Sequence, residues 1–450
     1  MRTPTPTRLA ALALAAGCAL GVAACSSGSD SSGSGDSVSI TVNCEPPTSD
    51  PIDRKNFVDD IASFEKLHPN IHITPKDEYP CDDPKTFQAK LAGGQMENVF
   101  YVYYTDVAQV VANGQAADIS SDVSSVKGLS DIQPSTLNVF KSDGKYYGLP
   151  KTNYSLGLIY NRALFTQAGL DPNKPPTTWA EVQADAKKIS ALGNGDVGYA
   201  DYSSNNQGGW HFTAELYSQG GSMVTADGKH ANFDNAAGKA VLQNLQQMRW
   251  TDNSMGTKQL LQQSDVLPMM GSGKLGMYLA APDNLPILVK QYGGSYQNLG
   301  IGPMPGNKGT LLGGDGYMFN VKDTPAQIQA GVQWLEYENL TPGQGGVLNY
   351  QRAASEKTPV GLPEPDLWNG ATAALDDSTK AKYANVPEQN YAAFQSAMKT
   401  LPGKIEPPDA QQIYSVLDSV MSAVLTSQSA NIDSLLSDAS NKVNTLLANQ

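Results

Sequence analysis

An alternation of strand-like and helix-like patterns near the start of the chain constrains the fold most strongly. Residues 37–43 alternate between apolar and polar, as a half-buried strand does, and similar strand patterns recur at 71–74 and 99–104. Helix-like segments lie between them, the first with its apolar residues spaced on one face, at Phe57, Ile61 and Phe64. Because parallel strands need a long crossover connection, this order predicts an α/β fold with a mainly parallel sheet.

The carboxyl ends of these strands are the first candidate binding region, since ligands in parallel sheets lie beyond the carboxyl ends of the strands. The third strand pattern ends in Tyr103-Tyr104-Thr105-Asp106. A tyrosine there can stack on the face of a sugar ring, and Asp106 can accept hydrogen bonds from hydroxyl groups. Period-two alternation puts Tyr101 and Tyr103 on one face and Tyr104 on the other, so some of these rings belong to the core. We predict Tyr104 and Asp106 as site residues.

A second informative stretch runs from 148 to 189. Residues 155–160 form a short apolar run that predicts a buried strand, followed by a helix that ends at Gly169. Thr178 and Glu181 have the spacing of a capping box at the start of the next helix. The recognisable motifs of the stretch are Gly148-Leu149-Pro150, Tyr160-Asn161, Leu164-Phe165, Ala168-Gly169-Leu170 and Pro176-Thr177-Thr178-Trp179.

These motifs resemble the signature region of extracellular solute-binding proteins of bacterial ABC importers, most closely the maltose-binding-protein-like, carbohydrate-binding branch. The resemblance implies a periplasmic-binding-protein-like fold of two α/β lobes joined by a hinge, with a ligand cleft between them. It implies a monomer that needs no cofactor and that passes a small solute to the permease subunits. On this basis lobe 1 comprises 37–150 and about 315–360, and lobe 2 comprises 151–314 and about 361–450.

Further cleft candidates follow from the resemblance and from local sequence. Asn153 and Tyr154 lie where the chain crosses between lobes, and Trp210 follows two glycines, ahead of a predicted helix. Trp210 is equally well explained as a residue that packs within its lobe. Two places depart from the family pattern, because polar residues stand where relatives often carry aromatic ones. The candidates at these places are Asp283, Asn284, Asp315 and Tyr317.

The N-terminal residues have the features of a lipoprotein leader. Residues 1–24 combine two arginines with a short apolar run and small residues before Cys25, as in a signal peptide that is cleaved ahead of a lipidated cysteine. An ordinary signal peptide with Cys25 incidental is the alternative. Residues 25–36 continue as a linker of Ser, Gly and Asp, which has no apolar surface to bury. The expected location is therefore the outer face of the cytoplasmic membrane, through a lipid anchor.

Charge and cysteine content agree with an extracellular protein. Loss of the leader changes the formal net charge from -13 to -15, which disfavours nucleic acid as a partner. Cys18 belongs to the leader, which leaves Cys44 and Cys81 beside Cys25. Two cysteines in an oxidising compartment, each following a strand of the same predicted sheet, favour a Cys44–Cys81 disulfide over two free thiols.

The sequence lacks the residue patterns that would indicate a metal site or a dinucleotide site. The four histidines lack the partners of a metal site, since Pro69 interrupts any helix that would align His68 with His72. Two glycine patterns, at 193–198 and 271–276, follow predicted helices rather than strands, so neither predicts a dinucleotide site. We therefore predict a binding protein without enzyme activity. A secreted glycosidase with paired carboxylates, or a binding protein for a non-sugar polar solute, is the alternative.

Overall fold

The computed structural model describes residues 37–77, 81–82 and 84–448. The predicted signal peptide at 1–24, Cys25 and the linker at 25–36 lie outside the described residues. The strands are β1 (Val38–Glu45), β2 (Ile71–Asp77), β3 (Val99–Tyr103), β4 (Lys141–Ser142), β5 (Lys145–Tyr146), β6 (Gly148–Ser155), β7 (Gly157–Asn161), β8 (Val197–Ala200), β9 (Leu275–Ala280), β10 (Leu299–Gly302), β11 (Thr310–Phe319) and β12 (Gly403–Ile405).

The α-helices are α1 (Pro51–Leu67), α2 (Pro84–Gly93), α3 (Tyr104–Ala112), α4 (Pro134–Leu137), α5 (Arg162–Gln167), α6 (Trp179–Ser190), α7 (Gln207–Ser218), α8 (Ala236–Gln246), α9 (Gln263–Gly271), α10 (Asn284–Tyr292), α11 (Pro325–Asn339), α12 (Tyr350–Ser355), α13 (Gly370–Tyr383), α14 (Ala392–Met398), α15 (Ala410–Thr426) and α16 (Ile432–Leu447). Short 3-10 helices occupy Val123–Ser125, Leu129–Asp131, Asn138–Phe140, Gly346–Leu348 and Glu388–Asn390, and a π-helical turn at Gln247–Thr251 follows α8.

The first sheet contains the predicted βαβαβ arrangement. Its strands lie in the order β12-β11-β3-β1-β2, and β6 also pairs with β11. β1 runs parallel to both β2 and β3, which confirms the parallel core expected from the alternating pattern. β11 is antiparallel to β3 and to β6, so this later strand closes one side of the parallel unit.

A separate sheet organises the second half of the protein. Its order is β10-β7-β9-β8, with β7 antiparallel to β9 and to β10, and β8 parallel to β9. Helices α6 and α8 pack around this sheet, and the long helices α15 and α16 join the same apolar core. Each sheet therefore has its own core, as a two-lobe arrangement requires.

Three segments lead from the first sheet to the second core or back again. β6 ends at Ser155 and β7 begins at Gly157, so a single residue separates the two sheets there. β10 and β11 make the return crossing, and the chain leaves the first sheet again after β12 to enter α15. Leu367 and Trp368 pack in the core of the first sheet, although the predicted boundary near 361 assigns them to lobe 2. The division into lobes remains a prediction.

Local features follow the chemistry of the residues. Thr178 and Glu181 form the capping box expected at the start of α6, and Gly169 has the left-handed φ of 71° expected after α5. The apolar run at 155–160 is split between the end of β6 and β7. β11 begins at Thr310, where Leu311 and Leu312 extend its buried face.

Cys44 and Cys81 form the predicted disulfide, with their Cα atoms 4.8 Å apart. The parallel pairing of β1 with β2 brings the two cysteines to the same edge of the sheet. Within the described residues, no cluster of three histidine, cysteine or acidic side chains is arranged to hold a metal ion. No described helix is long and apolar enough to cross a membrane.

Candidate functional site

An aromatic cavity of about 290 Å³ lies at the end of β3, beside the starts of α7 and α15. We call it the aromatic cavity and define it by four rings, those of Tyr103, Tyr154, Trp210 and Tyr414. Polar groups fill the spaces between the rings, from Thr105, Asn205, Asn206, Gln207, Glu406 and Gln411. A cavity with several aromatic faces and a few convergent polar groups suits a small, polyhydroxylated ligand.

The four rings come from both halves of the protein. Tyr103 is the last residue of β3 and its side chain is 40% exposed, whereas Tyr154 lies on β6. Trp210 is part of α7, and its ring meets that of Tyr154 edge-on at a centroid distance of 6.4 Å. The indole also stacks on His211, 5.4 Å away. The contacts with Tyr154 and His211 therefore fix the position of the indole, which forms part of the cavity wall.

A glycine permits the close approach of the two helices that border the cavity. A Cβ atom added at Gly209 would lie 2.3 Å from Cα of Tyr414, closer than real Cβ contacts come. Asp418 on α15 holds the start of α7, because its carboxylate accepts hydrogen bonds from the backbone N–H of Asn206 at 2.6 Å and of Gly209 at 3.0 Å. The two helices thus present Trp210 and Tyr414 as a single wall.

Glu406 is the acidic group of the aromatic cavity. It follows β12, and its Oε1 accepts a hydrogen bond of 2.8 Å from the Tyr414 hydroxyl. Burial raises the pKa of Glu406, hydrogen bonds from Tyr414 and Tyr154 lower it, and Asp106 raises it further, so that the pKa is about 7. This carboxyl group therefore changes its charge near neutral pH, at a position where it can receive hydrogen bonds from ligand hydroxyls.

A second cavity, of about 450 Å³, is bordered by Lys151 and Thr152 of β6, a few residues before Tyr154. We call it the charged cavity. Its lining includes Lys151, Tyr317, Glu338, Asn339 and Arg352, together with Pro286 and Lys290 of α10. Because α10 packs on α9 beside the second sheet, this cavity also takes residues from both halves.

The predicted site residues fall into separate places. Tyr154 and Trp210 line the aromatic cavity together, and Tyr317 lines the charged cavity. Tyr104 is only 4% exposed, and its hydroxyl donates to Asn153 Oδ1 at 2.8 Å and to the Thr152 carbonyl at 3.1 Å. Asn153 is also buried and donates from Nδ2 to Thr136 Oγ1 at 2.9 Å, while bordering a small cavity of about 50 Å³.

Two of the predicted acidic residues, Asp106 and Asp315, already accept hydrogen bonds from other groups of the protein. Asp106 lies in the first turn of α3, where it accepts from Thr105 Oγ1 at 3.0 Å, and burial raises its pKa. Asp315 accepts from the Tyr101 hydroxyl at 2.6 Å and from Thr152 Oγ1 at 2.7 Å. Both carboxylates are therefore held by neighbours next to the cavities.

Asp283 and Asn284 lie at the start of α10. The Asp283 side chain is exposed, whereas Asn284 is buried and its Oδ1 accepts from the Tyr278 hydroxyl at 3.2 Å. Neighbouring protein atoms still withdraw part of its carboxyl group from water, and this desolvation raises the pKa of Asp283. Neither residue lines the aromatic cavity, and Asn284 has the contacts of a residue that anchors its helix.

Sequence reasoning made one error here and missed several residues. The expectation that Trp210 precedes its helix is wrong, because α7 begins at Gln207 and the two glycines form its first turn. The site residues predicted from the sequence did not include Tyr103, Glu406 or Tyr414, all of which line the aromatic cavity. The exposure of Tyr103 results from the end of β3, which the tyrosine pattern alone does not reveal.

Comparison with known proteins identifies related sequences. Residues 48–337 match the family model described as bacterial extracellular solute-binding protein. A relative in Brucella abortus, described as a candidate binding protein, is 29% identical over 140 residues, which is 31% of this chain and 33% of the relative. The sn-glycerol-3-phosphate-binding periplasmic protein of Brucella abortus is 48% identical over 59 residues, 13% of this chain and 14% of that protein. The matches thus span about a third or less of these curated relatives.

A solved structure resembles the chain over most of its length. The cyclic α-maltosyl-1,6-maltose binding protein from Arthrobacter globiformis has a TM-score of 0.73 and 20% identity, covering 92% of this chain and 100% of that one. At this level of identity the similarity establishes the fold alone. The fold is the periplasmic-binding-protein-like α/β architecture that the sequence predicted.

Proposed function

The chain belongs to the bacterial extracellular solute-binding protein family, and from this premise we propose that it captures a carbohydrate outside the cell and delivers it to the permease of an ABC importer. The proposed ligand site is the aromatic cavity. A lipid anchor at Cys25 would hold the protein at the membrane, with the linker as its tether. The proposed lobes are those built around the two sheets, joined by the three crossings.

The single observation that carries the choice of a carbohydrate is the set of aromatic rings around one cavity, where Tyr103, Tyr154 and Trp210 are partly exposed and Tyr414 is buried. Sugar rings have apolar faces and hydroxyl-bearing edges, so they need aromatic platforms together with hydrogen-bonding groups. Glu406, Asn205, Asn206 and Gln411 supply such groups between the rings. The Arthrobacter neighbour is named for binding a cyclic maltosyl-maltose, which agrees with this choice. The Brucella protein that matches over 59 residues is named for binding sn-glycerol 3-phosphate instead.

The distribution of the rings also supports capture by lobe closure. Tyr103 and Tyr154 belong to strands of the first sheet, whereas Trp210 belongs to a helix that packs in the second core. A ligand between them gains contacts with both lobes only when the lobes are close together. Binding then shifts the population toward the closed form, which is the form we propose the permease recognises.

The cavity favours binding over hydrolysis. Glycosidases use two carboxyl groups on opposite sides of the bond that is cleaved. Among the described residues that line the aromatic cavity, Glu406 is the one acidic side chain, with Asp106 nearby but outside the lining. We therefore propose that the solute leaves unchanged, which mass spectrometry of the recovered solute will test.

The first experiment is a thermal-shift screen of the mature protein against neutral sugars, sugar alcohols and aminosugars, followed by calorimetric titration of the hits. Trp210→Ala should weaken binding of a hit at least tenfold, about 1.4 kcal/mol, because it removes a stacking platform. The matched control is Trp250→Ala, since Trp250 is also half-buried but lines neither cavity. Equal loss in both variants would contradict the proposed site.

Two further variants test the remaining predictions for the site and the anchor. If Asp106 binds the sugar as the sequence predicts, Asp106→Ala should weaken sugar binding with little change in the melting temperature of the ligand-free protein, since Asp106 is only half-buried. Unchanged affinity would agree with its position outside the lining of the aromatic cavity. Cys25→Ser should release the protein from the membrane fraction, and retention of this variant would contradict the anchor. Copurification of permease subunits with the sugar-loaded protein, but not with the empty one, tests delivery.

A further inference from the structure

The charged cavity holds a lysine, Lys151, whose amino group forms no ion pair with any side chain of the described residues. Lys151 lies on β6, three residues before Tyr154. Asp315 of β11 pairs with Thr152, and Gly316 pairs with Pro150, so Lys151 is the extra residue of a β-bulge. Bulges redirect a side chain out of the regular alternation and often occur beside functional sites. Here the bulge places Lys151 in the lining of the cavity.

Within the described part of the chain, the Lys151 amino group has no ion pair and no hydrogen bond. Its nearest specific contact is the ring of Tyr101, with Nζ 5.6 Å from the centroid. Burial lowers the pKa of Lys151, but Tyr317, Asp315 and Glu338 raise it, and the net direction is upward. The lysine is therefore a cation in a cavity, held by longer-range interactions alone.

Neighbouring charges are already engaged with one another. Arg352 forms a two-point ion pair with Asp60, with N–O distances of 2.6 and 2.7 Å. Asp315 is occupied by hydrogen bonds from Tyr101 and Thr152, as described above. Burial raises the pKa of Glu338 well above its usual range, which favours the neutral form of this carboxyl group.

The other ionisable groups of the lining carry both signs. They are Asp53, Glu356, Glu364, Lys290 and Lys380. Lys380 pairs with Asp376 at 3.2 Å, and burial raises the pKa of Asp53 and of Glu364, which weakens their negative charge. Lys290 also has no ion pair among the described residues, but it is exposed, so Lys151 is the half-buried cation of the lining that lacks a close partner among them.

Two hydrogen-bond donors of the same lining are also unused. Asn339 is 4% exposed, and its Nδ2 atom has no partner within the described residues. The Tyr317 hydroxyl likewise has no hydrogen-bond acceptor among them. A buried amide that lacks an acceptor is costly unless a ligand or water supplies one.

We propose that the charged cavity is an anion subsite, in which Lys151, Asn339 and Tyr317 bind a carboxylate or phosphate group of the transported solute. This inference rests on the proposed function, because it takes the aromatic cavity as the site of the sugar ring. Three residues of extended strand separate Lys151 from Tyr154, about 10 Å, a distance that two linked sugar rings can span. The solute is then an acidic sugar or a sugar or polyol phosphate, rather than a neutral glucan.

Inorganic phosphate and acetate are the probes of the first test, titrated to tens of millimolar at constant ionic strength while the melting temperature is recorded. The wild-type protein should show saturable stabilisation. Lys151→Met should abolish it and Lys151→Arg should keep it. Lys290→Met, which removes the same charge from an exposed position of the same lining, should also keep it. No saturable effect in the wild type, or an equal effect in Lys151→Met, would overturn the subsite.

A second test separates this inference from the proposed function. Calorimetry compares matched neutral and acidic compounds, namely glucose with glucuronate and with glucose 6-phosphate, and glycerol with glycerol 3-phosphate. The subsite predicts at least tenfold tighter binding of the acidic member, and Lys151→Met should reduce that preference to less than threefold. Neutral sugars that bind as tightly as acidic ones, with Trp210→Ala still harmful, would overturn the subsite and leave the proposed function standing. If acidic compounds depend on Lys151 but not on Trp210, the subsite stands and the aromatic sugar site fails.

Discussion

We expect the ionisation of Glu406 to make sugar binding at the proposed site sensitive to pH near neutrality. Its pKa is about 7, because burial in the aromatic cavity opposes the charged form more than the hydrogen bonds from Tyr414 and Tyr154 favour it. The ionised carboxylate accepts hydrogen bonds from ligand hydroxyls, whereas the protonated form offers fewer acceptor sites. We therefore expect the deprotonated protein to be the form that binds a neutral sugar well.

The size of the effect follows from the ionised fraction. With a pKa of about 7, the fraction that is ionised is about 9% at pH 6 and about 91% at pH 8. If only the ionised form is competent, the apparent dissociation constant scales inversely with that fraction. The affinity for a neutral sugar should thus increase about tenfold from pH 6 to pH 8, and most of the change should fall between pH 6 and pH 7.5.

The measurement is isothermal titration of a neutral sugar at several pH values, with the wild type and Glu406→Gln compared. The glutamine variant keeps the shape of the side chain and cannot ionise in this range, so its affinity should be flat. Tyr414→Phe removes one of the hydrogen bonds that favour the carboxylate, so the midpoint of the transition should move to higher pH.

A flat wild-type profile, or a slope that survives in Glu406→Gln, would refute this reasoning. An affinity that decreases with pH would mean that the protonated carboxyl group is the binding form, acting as a donor to the ligand. Thermal unfolding without ligand at each pH serves as the control, since a change in folding stability would otherwise be confused with a change in affinity.

Three further predictions concern stability. Both carboxyl oxygens of Glu215 lack a partner among the described residues, and burial raises its pKa well above the usual value. Because this pKa is raised in the folded state, the free energy of unfolding decreases progressively as the pH rises above the pKa of the unfolded state, about 4.3. The melting temperature of Glu215→Gln relative to wild type should therefore increase between pH 4 and pH 8, and a constant difference would contradict this. Gly209→Ala should separate α7 from α15 and lower both the melting temperature and sugar affinity, while Gly93→Ala, whose added Cβ meets nothing closer than 3.6 Å, should not. Cys44→Ser opens a disulfide loop with a sequence separation of 37 and should cost about 3 to 4 kcal/mol of unfolding free energy in denaturant titrations, which an unchanged midpoint would contradict.

Sequence periodicity was sufficient for those parts of the fold that depend on local patterns. The βαβαβ unit, the capping box of α6 and the left-handed Gly169 are all encoded within a few residues. The disulfide was predictable because Cys44 lies near the end of β1 and Cys81 follows β2, two neighbouring parallel strands. Element boundaries are harder to predict, as the division of the apolar run at 155–160 between β6 and β7 shows, because a segment buried on both faces has no alternation to mark where a strand begins.

The site was harder to predict because it depends on contacts between distant segments. Tyr103 and Tyr104 are adjacent and chemically identical, and only the switch from β3 to α3 between them makes one exposed and the other buried. Glu406 belongs to a short segment without periodic pattern, and Tyr414 belongs to a helix whose apolar stripe predicts core positions. Tyr414 is buried within that stripe, so no local pattern distinguishes it from the other core positions of α15.

The crossings between the two sheets explain why the missed and the predicted residues meet. Tyr154 lies at the end of β6, Gly314 within β11 and Glu406 directly after β12, so each of the three crossings contributes to the aromatic cavity. β11 pairs with β6 on one side and with β12 on the other, which holds the three segments side by side. Residues on crossings are near both lobes whatever the angle between the lobes, and they therefore contact a ligand before and after closure. Substitutions at Tyr154 or Glu406 should accordingly change the rate at which the ligand first binds, whereas substitution of Trp210, which belongs to the second core, should mainly increase the rate of release.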